Sequence, residues 1–290
     1  TSQQLQVALE VDLRCRAEHV YSEHSVFNTY WNEAHKVLNG DAKRIGFSYE
    51  NLTCSLGHDV GIVEKAKRLR RLLGDDVKIV YVVREQQDLL VSLYKELLLW
   101  GVTVSFERFV ERLVFTDFQG IIADLQYAQI VDTYVELFGV DNVLLVPFKH
   151  IVQDSSTVLD SISNFFGVQC LSTPLSKTHT GLTPIQAQWL LSRNREEVHD
   201  FGLDRFAIWH GQRLQEYGNL RWNGWLPNEI SENMTKGVES ARMARQVKSG
   251  EAMDFTISTA LRERLDSCFK ETNQRLVTRY GMDIRRSLIS

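Results

Sequence analysis

Long apolar runs are missing from this chain: no stretch approaches the ~18 consecutive apolar residues a membrane-spanning helix requires, so no membrane span is expected. A surplus of one charge is missing too. The 33 lysines and arginines stand against 37 aspartates and glutamates, giving a net charge of -4, and the basic residues are spread along the chain. A nucleic-acid binder concentrates its positive charge, so no nucleic-acid partner is expected, and any anionic ligand has to be caught locally. Cysteine is scarce: Cys15, Cys54, Cys170 and Cys268 lie far apart and form no C-x-x-C pair, which argues against a zinc site and a disulfide scaffold. A reducing compartment is the simpler expectation. The opening "TSQQLQVALEVDLR" has neither the basic flank nor the apolar block of a secretory signal, and with the cysteines it points to a cytoplasmic protein. Neither G-x-x-x-x-G-K-[ST] nor G-x-G-x-x-G occurs, so a nucleoside triphosphatase or a dinucleotide enzyme finds no positive support. With no repeat and no low-complexity linker, residues 1–290 are expected to form one domain.

What is present is an ordinary globular composition, 43% hydrophobic and 24% charged, long enough to bury a sizeable core. Helical spacing begins near Thr1 or Ser2, either of which can cap a helix running to about Leu13, and a second helix is expected around Val26 to Leu38. "RIGFSYENL" suits a brief strand ending at Glu50. "GIVEKAKRLRRLLGDD" has helical apolar spacing and a strongly basic face, read as solvated. "KIVYVV" is the continuous apolar run of a parallel strand covered on both faces, and "DLLVSLYKELLLWG" a helix closed by Gly101. "SFERFVERLV" and "YAQIVDTYVELFG" read as helices, "NVLLVPFKHI" as a second apolar strand, and "STVLDSISNFFG" as helix again. This order, with short turns, is the grammar of a three-layer α/β fold with a central parallel sheet. After Gly167 no strong strand pattern remains. Two helices, one with Pro184 at an early position and a long one capped near Thr256 or Ser258, flank an aromatic stretch containing Trp209, Tyr217, Trp222 and Trp225. The expected division is an α/β core over 1–168 and a mainly helical part over 169–290.

In open parallel sheets ligands sit outside the carboxyl ends of the strands, and Arg84 falls at that end of "KIVYVV". Its planar fork of donors suits phosphate oxygens, and Ser92, two helical turns on, can be turned toward the same pocket. The alternative is a local ion pair between Arg84 and Asp88, with Ser92 buried against a neighbouring carbonyl.

The stretch "KIVYVVREQQDLLVSLY" resembles the 3′-phosphate-binding element of sulfotransferases that use 3′-phosphoadenosine 5′-phosphosulfate (PAPS), in which a strand ends in Arg and a helix carries Ser eight residues later. Other segments fall in the family's order. "IGFSYENL" is similar to its strand ending in Glu, "SFERFVE" to the helix after the arginine element, and "LLVPFKHIVQDSSTVLDSISNFFGV" to its next strand and helix. "LTPIQAQWLLSRN" and "KETNQRLVTRYGMDI" are similar to the C-terminal helices of bacterial members.

The resemblance implies a P-loop-NTPase-like αβα sulfotransferase fold. It also implies PAPS as sulfuryl donor with 3′,5′-ADP as product, and a small-molecule, carbohydrate or lipid acceptor carrying a hydroxyl or amine. Carried over residue by residue, it makes Arg84 and Ser92 ligands of the 3′-phosphate, Glu50 the base that deprotonates the acceptor, and Lys177 a basic loop residue near a cofactor phosphate. His24, His35 and His58 are rival bases, since imidazole titrates closer to neutrality. The family's phosphosulfate loop, of Lys-Ser/Thr-Gly-Thr-Thr type, is absent from this sequence, and only Thr1 and Ser2 match its last residues. Such a loop, encoded upstream, is expected of an enzyme. Its loss is expected of a catalytically silent nucleotide- or partner-binding relative. A nucleoside-kinase-like phosphotransferase, the third alternative, would require ATP and Mg²⁺.

Overall fold

The computed structural model describes residues 46, 50–53, 60–99, 101–116, 120–169, 181–197 and 239–284. These residues combine helices with a small parallel sheet. The chain divides into two compact units, each assembled from three separate stretches: Leu69–Tyr94, Phe106–Gly181 and Phe255–Ser290 in one, Thr1–Arg68, Lys95–Ser105 and Leu182–Asp254 in the other.

The first of these units holds the sheet. Its strands are β1 (Ile79–Val83) and β2 (Val143–Pro147), paired in parallel from Ile79 opposite Val143 to Val83 opposite Pro147. Their β-branched and leucine residues fit a pleated, packed surface. Tyr81 is buried and meets two further tyrosines edge-on or tilted, Tyr127 at 6.2 Å and Tyr134 at 5.9 Å between centroids. Both belong to α5, the helix Tyr127–Phe138. Burial pushes the Tyr134 phenol well above its ordinary range. The expectation of a strand covered on both faces is met only on the Tyr81 and Val83 side, because Val82 is 43% exposed.

The second strand is shorter than the sequence pattern proposed. The stretch read as strand extends to Ile151, yet β2 stops at Pro147 and a helix, α6 (Phe148–Gln153), begins at the next residue. Proline has no N–H to give the ladder, and its φ of -66° suits the position before a helix. The following helix α7 (Ser155–Phe166) is capped by Asp154, whose carboxylate accepts from the Thr157 N–H at 3.1 Å and the Ser156 hydroxyl at 2.8 Å. These bonds, that to Thr157 first, hold the Asp154 carboxyl below its usual value. Gly167 closes α7 in the left-handed conformation, φ 59°, where a side chain would be strained.

The helix α2 (Gln86–Leu99) follows β1. Tyr94, fully buried, packs its ring against Phe106 and Phe109 of α3 (Phe106–Phe115), each 5.4 Å away. The short α4 (Ile121–Asp124) then leads to α5. The long α9 (Thr259–Tyr280) lies along α5, tied by polar contacts that advance together along both helices. The Gln126 amide donates to the Cys268 carbonyl at 3.0 Å, and the Ala128 N–H to the Thr272 hydroxyl at 2.9 Å. Asp132 accepts from Arg275, Arg279 and the Tyr280 hydroxyl. The two helices therefore run in the same direction. Partial burial, and then the Asp132 carboxylate, raise the Tyr280 phenol to about 12. Ser258 occupies the N-cap position of α9, as expected, but without a side-chain cap; its own N–H donates to Glu107 at 2.9 Å.

In the other unit, α2 ends in a Schellman arrangement, Gly101 N–H to the Leu98 carbonyl and Val102 N–H to that of Leu97, with Gly101 at φ 93°. The helix α8 (Pro184–Glu197) starts with a capping box: the Thr183 hydroxyl accepts from the Gln186 N–H, and the Gln186 side chain accepts from the Thr183 N–H. Pro184 sits at the first helical position, where its missing N–H costs nothing. The buried Asn194 amide donates to two carbonyls, Leu98 at 2.8 Å and Val102 at 3.0 Å. A short helical stretch covers residues 239–244.

On α1 (Ile62–Leu73), whose basic face was read as solvated, the expectation holds for Lys67 and Arg71, which are exposed, but not for two other basic residues. Lys65 is 0% and Arg68 1% exposed, and the Arg68 guanidinium donates to Glu64 at 3.1 Å. Lys65 stands one turn from Ile62 and Leu69, and Arg68 one turn from Leu72, so the helix's own spacing carries both toward the buried side. Among the described residues no helix is long and apolar enough to cross a membrane.

Candidate functional site

A pocket of about 200 Å³ opens at the carboxyl ends of the two strands. Their last residues, Val83 and Pro147, are register partners and form its base. From the β1 side come Arg84, Glu85 and Asp88, where the chain turns into α2; from the β2 side come Phe148, Lys149 and Val152 of α6. Ile284, just beyond α9, closes a further wall. This is the place an open parallel sheet offers a ligand.

Arg84 is half-buried, and its guanidinium lies 4.8 Å from the centroid of the Phe148 ring. The ring face holds the cation in place without consuming its hydrogen-bond donors. Among the described residues Arg84 makes no hydrogen bond or ion pair, so the local pair with Asp88 does not form. Glu85 is engaged otherwise: its carboxylate accepts from the Asp88 N–H at 2.8 Å and so caps α2. Lys149 adds a second cation to the pocket wall, and among the described residues it has no acidic partner. The arrangement offers two cationic donors to an anion, beside two carboxylates that limit its net positive charge. At this volume it fits a phosphate group and part of what carries it, since whole small-ligand sites run to ~300–1,000 Å³.

The site residues anticipated from sequence are distributed unevenly. Arg84 stands in the pocket. Ser92 lies on α2, half-buried, and does not line it. Glu50 opens a 3₁₀ turn, Glu50–Thr53, rather than closing a strand there. Thr1, Ser2 and Lys177, the histidines His24, His35 and His58, and the aromatic stretch around Trp222 lie outside the described residues. Phe148, Lys149 and Ile284 escaped the sequence reading. Pro147 within an apolar run was the available signal for the first two, because it ends the strand and brings the next residues to the strand mouth. Among the described residues no group of three or more His, Cys, Asp or Glu side chains is gathered for a metal ion.

A guanidinium without a hydrogen-bond or ion-pair partner among the described residues, outside the ends of parallel strands, gives the class: an α/β protein with a strand-end pocket whose cations suit an anion. Compared with known families, residues 65–199 match the model described as Sulfotransferase domain, a likeness over just under half of the chain that supports a sulfotransferase-type, hence transferase, function. The matched segment contains β1, Arg84, Ser92, β2 and the pocket wall from α6. No curated protein and no solved structure matches the chain in the same comparisons.

Proposed function

We propose that the protein transfers a sulfuryl group from PAPS to a hydroxyl or amine of a small-molecule, carbohydrate or lipid acceptor, leaving 3′,5′-ADP. The observation that carries this reading is Arg84, presented to the strand-end pocket with its donors unspent among the described residues, inside the segment that matches the sulfotransferase model. A terminal phosphate monoester is a dianion with oxygens to receive a guanidinium fork, and Arg84 is assigned to the 3′-phosphate. Ser92, on the helix that follows Arg84, is assigned to the same phosphate as a hydroxyl donor, although it does not line the pocket itself. Thr1, Ser2 and Lys177 are assigned to the remaining phosphates.

When bound, PAPS supplies an activated sulfonate whose bond to the 5′-phosphate breaks as a bond from sulfur to the acceptor oxygen or nitrogen forms. The chain's own part is to clamp the nucleotide and take the acceptor's proton, which is the role proposed for the Glu50 carboxylate. The same reading includes a three-layer αβα core of P-loop-NTPase type, a single domain over 1–290 and a cytoplasmic location. The one-domain part is supported by each unit's assembly from three separate stretches of chain.

The test is calorimetric titration of 3′,5′-ADP and of 5′-AMP into wild type and Arg84→Ala. Loss of the clamp is expected to weaken 3′,5′-ADP about a hundredfold, ~2.7 kcal/mol, and to leave 5′-AMP nearly unchanged. Equal affinity of both proteins for 3′,5′-ADP would refute the assignment.

A further inference from the structure

Gln86 is the first residue of α2, two positions after Arg84, and a polar side chain in that place ordinarily faces water. Here it is 1% exposed and meets Asn273 of α9, itself 6% exposed. The two amides bond reciprocally: Gln86 Nε2 donates to Asn273 Oδ1 at 2.6 Å, and Asn273 Nδ2 donates to Gln86 Oε1 at 3.3 Å. Each amide supplies the other's buried donor and acceptor, so neither can swing away without leaving an unpaired polar group in the interior. The next residue, Gln87, repeats the attachment nearer the surface, donating to Asp266 at 3.3 Å and accepting from Arg262 at 3.2 Å. The start of α2 is thereby fastened to one face of α9.

Arg84 has no comparable fastening of its own. It is held by the Phe148 ring and by the backbone that carries it. That backbone is fixed on one side by the ladder of β1 and on the other by the cap at Glu85 and the Gln86 amide. The same α9 leads into Ile284, which forms part of the pocket wall.

We propose that Gln86 and Asn273 are a positioning pair that fixes the Arg84–Asp88 turn and so sets the guanidinium in the strand-end pocket. The pair touches no ligand; it acts through Arg84, and its effect on nucleotide affinity rests on the reading of the pocket given above.

Two measurements test it. The first needs no ligand: amide hydrogen exchange in wild type, in Asn273→Leu and in the exchanged pair Gln86→Asn/Asn273→Gln. The reporters are the Asp88 and Leu89 amides, which bond to the Glu85 carboxylate and carbonyl. Asn273→Leu is expected to speed their exchange while β1 and α5 stay protected, and the exchanged pair to restore it. Unchanged exchange at these two amides, a rise shared equally by β1 and α5, or no restoration would each overturn the proposal. Gln86→Met opens the pair from the other side if Asn273→Leu does not fold.

The second measurement is titration of 3′,5′-ADP in a double-mutant cycle with Arg84→Ala. Asn273→Leu is expected to weaken binding about tenfold when Arg84 is present, within the range for coupled neighbours, and to add nothing when it is absent. Additive losses would make the pair merely structural. A wild type that does not bind 3′,5′-ADP refutes the nucleotide reading alone, and the exchange result then decides the positioning pair.

Discussion

Replacing Thr272 by valine removes one oxygen from the interior and almost no volume. Thr272 is 0% exposed, and its hydroxyl accepts the Ala128 N–H at 2.9 Å. Ala128 is equally buried and is the second residue of α5, so its N–H is among those a helix cannot satisfy within its own first turn. The N-cap residue, Gln126, gives no side-chain cap, and its amide donates elsewhere, to Cys268. The acceptor therefore comes from α9.

In Thr272→Val the N–H is stranded without water, at a cost of about 1–3 kcal/mol, from which the gain of burying a methyl in place of a hydroxyl is subtracted. Thr272→Ser keeps the oxygen and loses only the methyl, worth about 1 kcal/mol. Urea unfolding followed by circular dichroism, with hydrogen exchange at Ala128, separates the two terms. The expected order of stability is wild type, then serine, then valine, with fast Ala128 exchange in valine alone. Valine as stable as wild type, with serine the weaker variant, would show that methyl packing rather than the hydrogen bond matters here.

Asn194→Leu should destabilise by about 1–3 kcal/mol in a urea titration, since it deprives two carbonyls at the end of α2 of a buried donor. Asp154→Ala removes the cap of α7, and the sign of its pH dependence follows from the depressed carboxyl. The stabilisation is present above the ordinary value of 3.8 and is lost as pH falls through the lower folded value, so the two proteins should converge in acid. Tyr280→Phe behaves oppositely. A phenol raised to about 12 contributes stability that is full below the unfolded value of 10.0 and is lost as pH rises toward 12, so thermal melts of wild type and variant should converge over that interval.

Local signals made much of the architecture readable. The apolar run "KIVYVV" announced β1, Gly101 the end of α2, and Thr183 with Pro184 the start of α8, because each depends on residues within one turn of itself. Arg84 was legible for the same reason, a strand end being a local fact with a general consequence for ligands. Ser92 shows the limit: a spacing of eight fixes a rotation about the helix axis but not the direction of the pocket from that axis. Gln86 and Asn273 were illegible because two neutral amides on helices 187 residues apart carry no pattern that pairs them. Lys65 and Arg68 misled because they stand one turn from the buried Ile62, Leu69 and Leu72, whereas Lys67 and Arg71 on the outer face are exposed as read.

The pocket is written into the chain at three widely separated points: the end of β1, the end of β2, and Ile284. On the ribosome these emerge in that order, so a nascent chain carries an exposed strand mouth with Arg84 in it until synthesis has passed Ile284. A ligand of this pocket cannot act as a template for the early steps of such a fold. It can stabilise only the finished product, and the long-range closure of α9 is expected to come late, before the pocket is complete.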